Sequence, residues 1–332
     1  MKKNHEIPIK MLKILACLRN LRKTHPSYKQ LLDELALYSA GHYGEKSIDY
    51  YLKLIFEKDM IILNSLRIPL NGVHFQIDTL LLTTKTLIIL EIKNMTGTIS
   101  FDHAFGTMIQ DQTKIYQDPI TQVNNQKAQL NMWLKQNGFH NIPIDTLVVF
   151  VNKNVRLIRE GNQPIDDRII MSYRLRDKYN EIQQRYKRTT ENIPKEKIAQ
   201  HLTKAHTQNN QSILETYELT YKDFSLGVKC PTCLQKMRRI HSNWVCKQCK
   251  YKSRDTHVNA LKDYYLIFGP RINNAKARLW LDLQSPDVAK YLIQKMNPIE
   301  ISDKRNRIYE FNFNYQQDFD YLIEFSKKLI NK

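Results

Sequence analysis

Two small groups of residues have types and spacings suited to metal chemistry. The first is Asp78 with the triplet Glu91-Ile92-Lys93. Hydrolysis of a phosphodiester with Mg2+ or Mn2+ needs hard oxygen ligands, and a cation near the attacking water and the pentavalent phosphate. Side chains alternate along a strand, so Glu91 and Lys93 emerge on one face while Leu90 and Ile92 point to the other. A hairpin would bring Asp78 toward the face of Glu91. An ExK triplet also arises by chance in most proteins of this size, as a cross-strand ion pair on a half-exposed strand. Placement argues against that reading: Gln76-Ile77-Asp78 and Glu91-Ile92-Lys93 interrupt strongly apolar runs, where an unpaired buried charge costs roughly several kcal/mol.

The second group is Cys230-Pro231-Thr232-Cys233 and Cys246-Lys247-Gln248-Cys249, two knuckles separated by twelve residues. This is the spacing of a four-thiolate Zn2+ site. Four thiolates close the coordination shell, so this metal is expected to be structural. A disulfide pair or a redox CxxC is disfavoured by the doubling of the motif and by a reducing compartment. The fifth cysteine, Cys17, sits in an apolar stretch and reads as a small buried hydrophobe.

The elements that must position these groups follow from periodicity. Residues 8 to 40 have helical recurrence broken at His25-Pro26 and read as a lead-in, residues 1–39, docked on the unit that follows. A helix is expected from Gly44 to about Glu57, with Glu45 on the face of Ile48, Leu52 and Ile55. A carboxylate there needs a partner or a metal; its plain alternative is a first-turn carboxylate favoured by the helix dipole. Strands are expected at Val73–Leu82 and Thr86–Lys93, joined by residues 83–85. Asp118 as N-cap with Pro119 in the first turn starts a helix running to about Lys135. Gln122, one turn in, shares a face with Gln126 and would reach a phosphate or a metal-bound water, or else serve as a satisfied amide at a helix start. The near-continuous apolar run from Asp145 to Val151 reads as a central strand. Together these predict an α/β core at 40–160, followed by a polar, helical connecting region at 161–226, a zinc ribbon at 227–256 and a C-terminal module at 257–332.

The formal net charge is +18 over 332 residues, a positive field whose commonest partner is a polyphosphate. Between Lys229 and Arg254 there are eight Lys/Arg and no Asp or Glu. A solvated face usually mixes signs, so Lys236, Arg238, Arg239, Lys250 and Lys252 are expected to meet a nucleic-acid backbone. Trp244 would join them or serve packing. In the last module a helix at Asn273–Leu281, a tight turn, and a helix capped by Ser285-Pro286 and running to Met296 precede a basic turn at 304–307. That order predicts a winged helix-turn-helix, with a small helical domain plus hairpin as the plain alternative. Asp287, Lys290, Tyr291 and Gln294 would face DNA, with Arg305 and Arg307 in the turn. The apolar stretch Ile7–Leu18 is interrupted by Lys10 and Lys13, which suits neither a signal peptide nor a membrane span. The expected location is cytoplasmic, with no membrane partner.

Five ordered motifs resemble the nuclease-related domain (NERD), a branch of the PD-(D/E)xK nuclease superfamily. They are Ala40-Gly41-His42-Tyr43-Gly44-Glu45, the run Asn64 to Pro69, Gln76-Ile77-Asp78, Glu91-Ile92-Lys93-Asn94 with Gly97, and Asp118-Pro119-Ile120-Thr121-Gln122. The resemblance covers about residues 25 to 160, and Asp118 stands where an Asn is more usual. It implies a restriction-endonuclease-like core, a central mixed sheet flanked by helices. It also implies active-site positions at Asp78, Glu91 and Lys93, with Glu45 and Gln122 as accessories. On that pattern Asp78, Glu91 and the Ile92 carbonyl ligate Mg2+ or Mn2+, and Lys93 orients or helps deprotonate water and stabilises charge on the phosphate. The expected activity is a metal-dependent deoxyribonuclease, an endonuclease targeted by the ribbon and the tail. The rival from another class is a catalytically silent, nuclease-fold DNA-binding regulator or scaffold, and RNA is the alternative nucleic acid.

Overall fold

The computed structural model describes residues 2–55, 59–102, 105–159, 164–188, 191–302 and 307–330. No helix among them is long and apolar enough to cross a membrane. In chain order the first elements are β1 (Lys2–Lys3), α1 (Ile9–Asn20), α2 (Ser27–Ile55), β2 (Ile61–Leu70), β3 (Val73–Leu82) and β4 (Leu87–Lys93). Next come β5 (Gly97–Asp102), β6 (Thr107–Gln110), β7 (Lys114–Gln117), α3 (Pro119–Gln136), β8 (Ile144–Phe150), β9 (Val155–Arg159) and β10 (Ile169–Met171). Then follow α4 (Leu175–Tyr186), α5 (Lys195–Ala205), α6 (Ile213–Thr216), β11 (Arg238–Ile240), β12 (Asn243–Val245) and β13 (Lys252–Ser253). The chain closes with α7 (Thr256–Phe268), β14 (Arg271–Asn273), α8 (Asn274–Leu281), α9 (Pro286–Gln294), β15 (Ile299–Glu300), β16 (Ile308–Glu310) and α10 (Asp320–Ile330).

Two units share the chain: Met1–Glu6 with Ser39–Gln208, and Ile7–Tyr38 with Asn209–Lys332. The first is built on a six-stranded mixed sheet in the order β1-β2-β3-β4-β8-β10. β2, β3 and β4 are antiparallel neighbours, whereas β1 on β2, β8 on β4 and β10 on β8 are parallel. Alternating side chains feed two cores. Leu80, Leu82, Leu87 and Ile89 meet Leu130, Trp133 and Leu134 of α3 and Ile198, Ala199 and Leu202 of α5. Leu81, Ile88, Leu90 and Ile92 meet Ile48, Leu52 and Ile55 of α2 and Leu175, Tyr179 and Ile182 of α4. The expected strands and the Asp118-capped helix are present. The segment expected only to connect supplies β10, α4 and α5, because its sparse apolar residues recur at helical spacing and cover the sheet. A second, four-stranded sheet in the order β7-β6-β5-β9 has no counterpart in the sequence expectations, its strands being short and half polar.

Two helical expectations are corrected. The helix expected to start at Gly44 is instead the later part of α2, which runs unbroken through Gly41 and Gly44; its expected end near Glu57 lies outside the described residues. Gly44 earns its place by close approach, since a Cβ there would stand 2.5 Å from the Asn94 Cβ. The lead-in helix α1 belongs to the second unit, not to the unit that follows it in sequence. Met11, Leu12, Ile14, Leu15, Ala16 and Cys17 are all fully buried in the second unit, in one core with Leu261 and Tyr264 of α7 and Leu322 and Phe325 of α10. A helix apolar on nearly every side is satisfied only where packing surrounds it.

Candidate functional site

Asp78 and Glu91 sit at a defined break in the sheet. β2 and β3 pair from Ile61↔Leu82 to Asn64↔Thr79 and again from Leu66↔Ile77 to Leu70↔Val73, skipping the rung of Ser65 and Asp78. Ser65 has a left-handed φ of 50°. Side-chain alternation resets there: Leu63 and Leu66 enter the same core, as do Ile77 and Leu80, although an odd spacing in a regular strand puts residues on opposite faces. The β3–β4 ladder likewise ends at Thr79↔Leu90, while β4 continues along β8 to Lys93↔Phe150. Past the end of that ladder the Ile92 N–H donates to Asp78 Oδ2 at 2.8 Å, so a side-chain carboxylate stands in for a backbone acceptor.

Glu91 is 3% exposed, and its oxygens are met by three donors. Oε1 accepts from Lys93 Nζ at 2.8 Å and from Gln122 Nε2 at 2.7 Å, and Oε2 accepts from Gln126 Nε2 at 2.8 Å. Lys93 Nζ also donates to Gln122 Oε1 at 2.8 Å. The amides are aimed by the start of α3, where Pro119 occupies the first turn and Asp118 accepts from the Ile120 N–H at 2.9 Å. Gln126 is the member that sequence reasoning passed over. The signal was available, because residues four apart share a helix face and Gln122 already pointed that face at the site.

Glu45 approaches from α2 and is half-buried, with Ser65 Oγ donating to its Oε2 at 3.1 Å. Burial, followed by the nearby charges of Glu91 and Glu45, holds the Asp78 carboxyl well above the usual carboxylate range. Three carboxylates gathered at one break in the sheet are relieved by a cation. A carboxylate offers about four lone-pair positions, and the three donors on Glu91 leave one free. The donor set of Asp78, Glu91 and the Ile92 carbonyl consists of hard oxygens, so the residues fit Mg2+ or Mn2+.

In the second unit the four cysteines meet as their spacing predicts. Their sulfur atoms lie within 4.8 Å of one another, with Cys230–Cys249 and Cys233–Cys246 both at 3.4 Å. Zn–S bonds of about 2.3 Å in a tetrahedron place sulfurs roughly 3.8 Å apart, so the cluster is of the size that Zn2+ requires and suits a zinc ribbon. The two knuckles are built alike: Leu234 and Lys250, each four residues past the first cysteine, take left-handed φ values of 62° and 61°. The Leu234 N–H donates to the Cys230 carbonyl and the Lys250 N–H to that of Cys246. Backbone N–H donation from Cys249 helps bring the Cys246 thiol down to about 7, while burial and hydrogen bonds among the thiols push Cys233 and Cys249 up, as expected of thiols that share protons.

The sheet β11-β12-β13 carries the basic run. Arg238, Lys250 and Lys252 are exposed, and Lys236 is paired with Asp282 at 2.6 Å. Arg239 is half-buried with its guanidinium 5.5 Å from the centre of the Trp244 ring. Trp244 is 1% exposed, which assigns it to packing. Beyond the ribbon the chain runs α7-β14-α8-α9-β15-β16, with β16 antiparallel between β14 and β15. On α9, Ala289, Leu292 and Ile293 are buried while Asp287, Lys290, Tyr291 and Gln294 are exposed. Arg307 pairs with Glu300 at 3.2 Å; Arg305 lies outside the described residues.

Residues 40–151 match the family model of the nuclease-related domain. Neither the curated proteins nor the solved structures contain a match to the chain.

Proposed function

The chain carries a nuclease-related domain over residues 40–151, and from that premise we propose that it hydrolyses phosphodiester bonds in DNA, as a metal-dependent endonuclease. Asp78, Glu91 and the Ile92 carbonyl would hold Mg2+ or Mn2+. When bound, the metal supplies positive charge to the scissile phosphate and acidifies a water. Lys93 would orient an attacking water and stabilise charge developing on the phosphate oxygens. Gln122 holds Lys93 and Glu91 in register, and Glu45 closes the site from α2. Zn2+ in the ribbon is structural, and Lys236, Arg238, Arg239, Lys250 and Lys252 with Lys290, Arg305 and Arg307 neutralise the DNA backbone.

The observation that carries this reading is the interrupted rung. A sheet that gives up ladder hydrogen bonds to seat three carboxylates and a lysine beside one another carries an electrostatic cost with no benefit to stability. A second reading, a nuclease fold that binds DNA without cutting, draws on the three donors already seated on Glu91.

The deciding experiment incubates zinc-loaded protein with supercoiled plasmid, linear single-stranded DNA and RNA, with Mg2+ or Mn2+. Wild type is compared with Asp78→Ala and Lys93→Ala. Nicking or linearisation by wild type, lost in both variants while binding survives, supports the enzyme. Binding without cleavage under either metal favours the scaffold, and preferential loss of RNA moves the substrate.

A further inference from the structure

The first unit begins before the matched region. β1 lies parallel to β2, with Lys2↔Ile62 and Lys3↔Leu63, and Lys3 Nζ donates to the Asn64 carbonyl at 2.9 Å. Glu6 is tied to Lys3 at 2.9 Å, to His206 at 3.1 Å and to Gln208 at 3.0 Å. Between these two anchors stands His5. Its side chain is 3% exposed, and neither ring nitrogen has a hydrogen-bond partner among the described residues.

Each nitrogen nonetheless faces a carboxylate of α2. Nδ1 is 3.8 Å from Glu45 Oε2 and Nε2 is 3.6 Å from Asp49 Oδ1. Glu45 and Asp49 are four residues apart and share a helix face, so one imidazole spans both. Burying an imidazole with no hydrogen bond is unfavourable, and an apolar side chain in that space would avoid the cost. Ser65 Oγ, on the skipped rung, donates to the same Glu45 oxygen at 3.1 Å. Both contacts therefore fall on Oε2, which leaves Oε1 for a cation.

We infer that His5 is a positioning residue for the site: together with Ser65 it holds the Glu45 carboxylate at the break between β2 and β3, so that Glu45 contributes to divalent-cation binding with Asp78 and Glu91. This rests on the metal-dependent reading given above. It also assigns a task to the segment before residue 40, which would complete the site of a domain whose family match starts later.

The test is Mn2+ binding by isothermal titration calorimetry on full-length, zinc-loaded protein, with thermal melting as the folding control. His5→Ala is expected to weaken Mn2+ binding on the order of tenfold, and His5→Gln, whose amide N–H can face one carboxylate, to recover part of it. In a Glu45→Gln background His5→Ala is expected to add no further loss. Wild-type Mn2+ affinity in folded His5→Ala overturns the inference, as does a loss that simply adds to that of Glu45→Gln. Should His5→Ala fail to fold, His5→Gln against His5→Gln/Glu45→Gln makes the same comparison. If Asp78→Asn and Glu91→Gln abolish binding while Glu45→Gln does not weaken it, the role of His5 falls and the nuclease reading stands. If none of the three weakens binding, both fall.

Discussion

Cys230, Cys233, Cys246 and Cys249 come from one short stretch of chain and meet through two turns of the same shape. Glu45, Asp78, Glu91, Lys93 and Gln122 are drawn from α2, β3, β4 and α3, and meet only because a six-stranded sheet and its flanking helices hold them. Both sites bring like charges together, and both would be relieved by a cation. In the ribbon the ligands are local and have few other partners, so the metal itself supplies much of the organisation. At the break in the sheet the protein already supplies it: Lys93, Gln122 and Gln126 satisfy Glu91, and the Ile92 N–H satisfies Asp78. The contrast teaches that a structural metal stands in for tertiary packing, whereas a reactive one depends on packing that is already in place.

The sharpest break in the comparison is catalytic. Glu91→Gln keeps the shape of the side chain but removes its charge, and cleavage is expected to fall about a thousandfold or more with little change in melting temperature, a loss of the size seen for essential charge-stabilising groups. An activity within severalfold of wild type, measured by plasmid nicking, would remove Glu91 from the site.

Next in size is the converse experiment on the ribbon. Cys246→Ser is expected to abolish Zn2+ retention, read by elemental analysis, and to unfold the ribbon, since structural zinc contributes on the order of 10 kcal/mol in small zinc modules. Cys230, Cys246 and Trp244 belong to the core of the second unit, so protease resistance should drop there, while Mn2+ binding at the carboxylate site stays within twofold. Parallel loss of Mn2+ binding would show that the two sites are not independent.

A pH experiment sharpens the electrostatic side. The Asp78 carboxyl lies well above its ordinary range in the folded protein, chiefly through burial and then through Glu91 and Glu45. A raised carboxylate binds its proton more tightly folded than unfolded, so it adds stability below the unfolded value, and that contribution is lost as pH rises through the folded one. Metal-free Asp78→Asn is therefore expected to melt a few degrees above wild type at neutral pH, with the advantage shrinking toward zero in acid. Glu6 works in the opposite sense. Although burial raises it, hydrogen bonds from His206, Lys3 and Gln208 bring it down to about 2 from 4.5. Its contribution, about 3 kcal/mol at most, is present above pH 4.5 and is lost as pH falls toward 2. Glu6→Gln should flatten that part of the acid-unfolding curve, followed by circular dichroism.

The smallest expected effect concerns DNA delivery. Lys290→Ala should weaken binding severalfold and reduce the slope of log affinity against log salt by about one, the signature of one lost phosphate contact. An unchanged slope in fluorescence anisotropy would take the exposed face of α9 out of the interface.

Much of this was legible without coordinates, for identifiable reasons. The ribbon could be read because thiolate coordination depends on short spacings, and the start of α3 because Asp118-Pro119 is a local cap. Glu91 and Lys93 could be assigned to one face because strand alternation holds along β4. The same rule carried across β2 and β3 without revision would miss the reset at Ser65 and Asp78, which follows from a left-handed residue and a splayed ladder. Gly44 was expected to open a helix, whereas α2 passes through it, because what the glycine answers is the nearness of Asn94.

What the sequence by itself determined, then, is the inventory of chemistry: a carboxylate pair with a lysine, four thiols at metal spacing, and a basic stretch free of acidic residues. Only the tertiary structure decided which unit each segment joins. α1, the element nearest the N-terminus after β1, packs with α7 and α10, while residues 2–6 join the sheet. It also brought His5 and Gln126 beside Glu45 and Glu91. The physical reason is that spacing encodes only the geometry of residues a few positions apart. A contact between residue 5 and residue 45 is set by the burial of apolar surface across the whole unit, which no local pattern records.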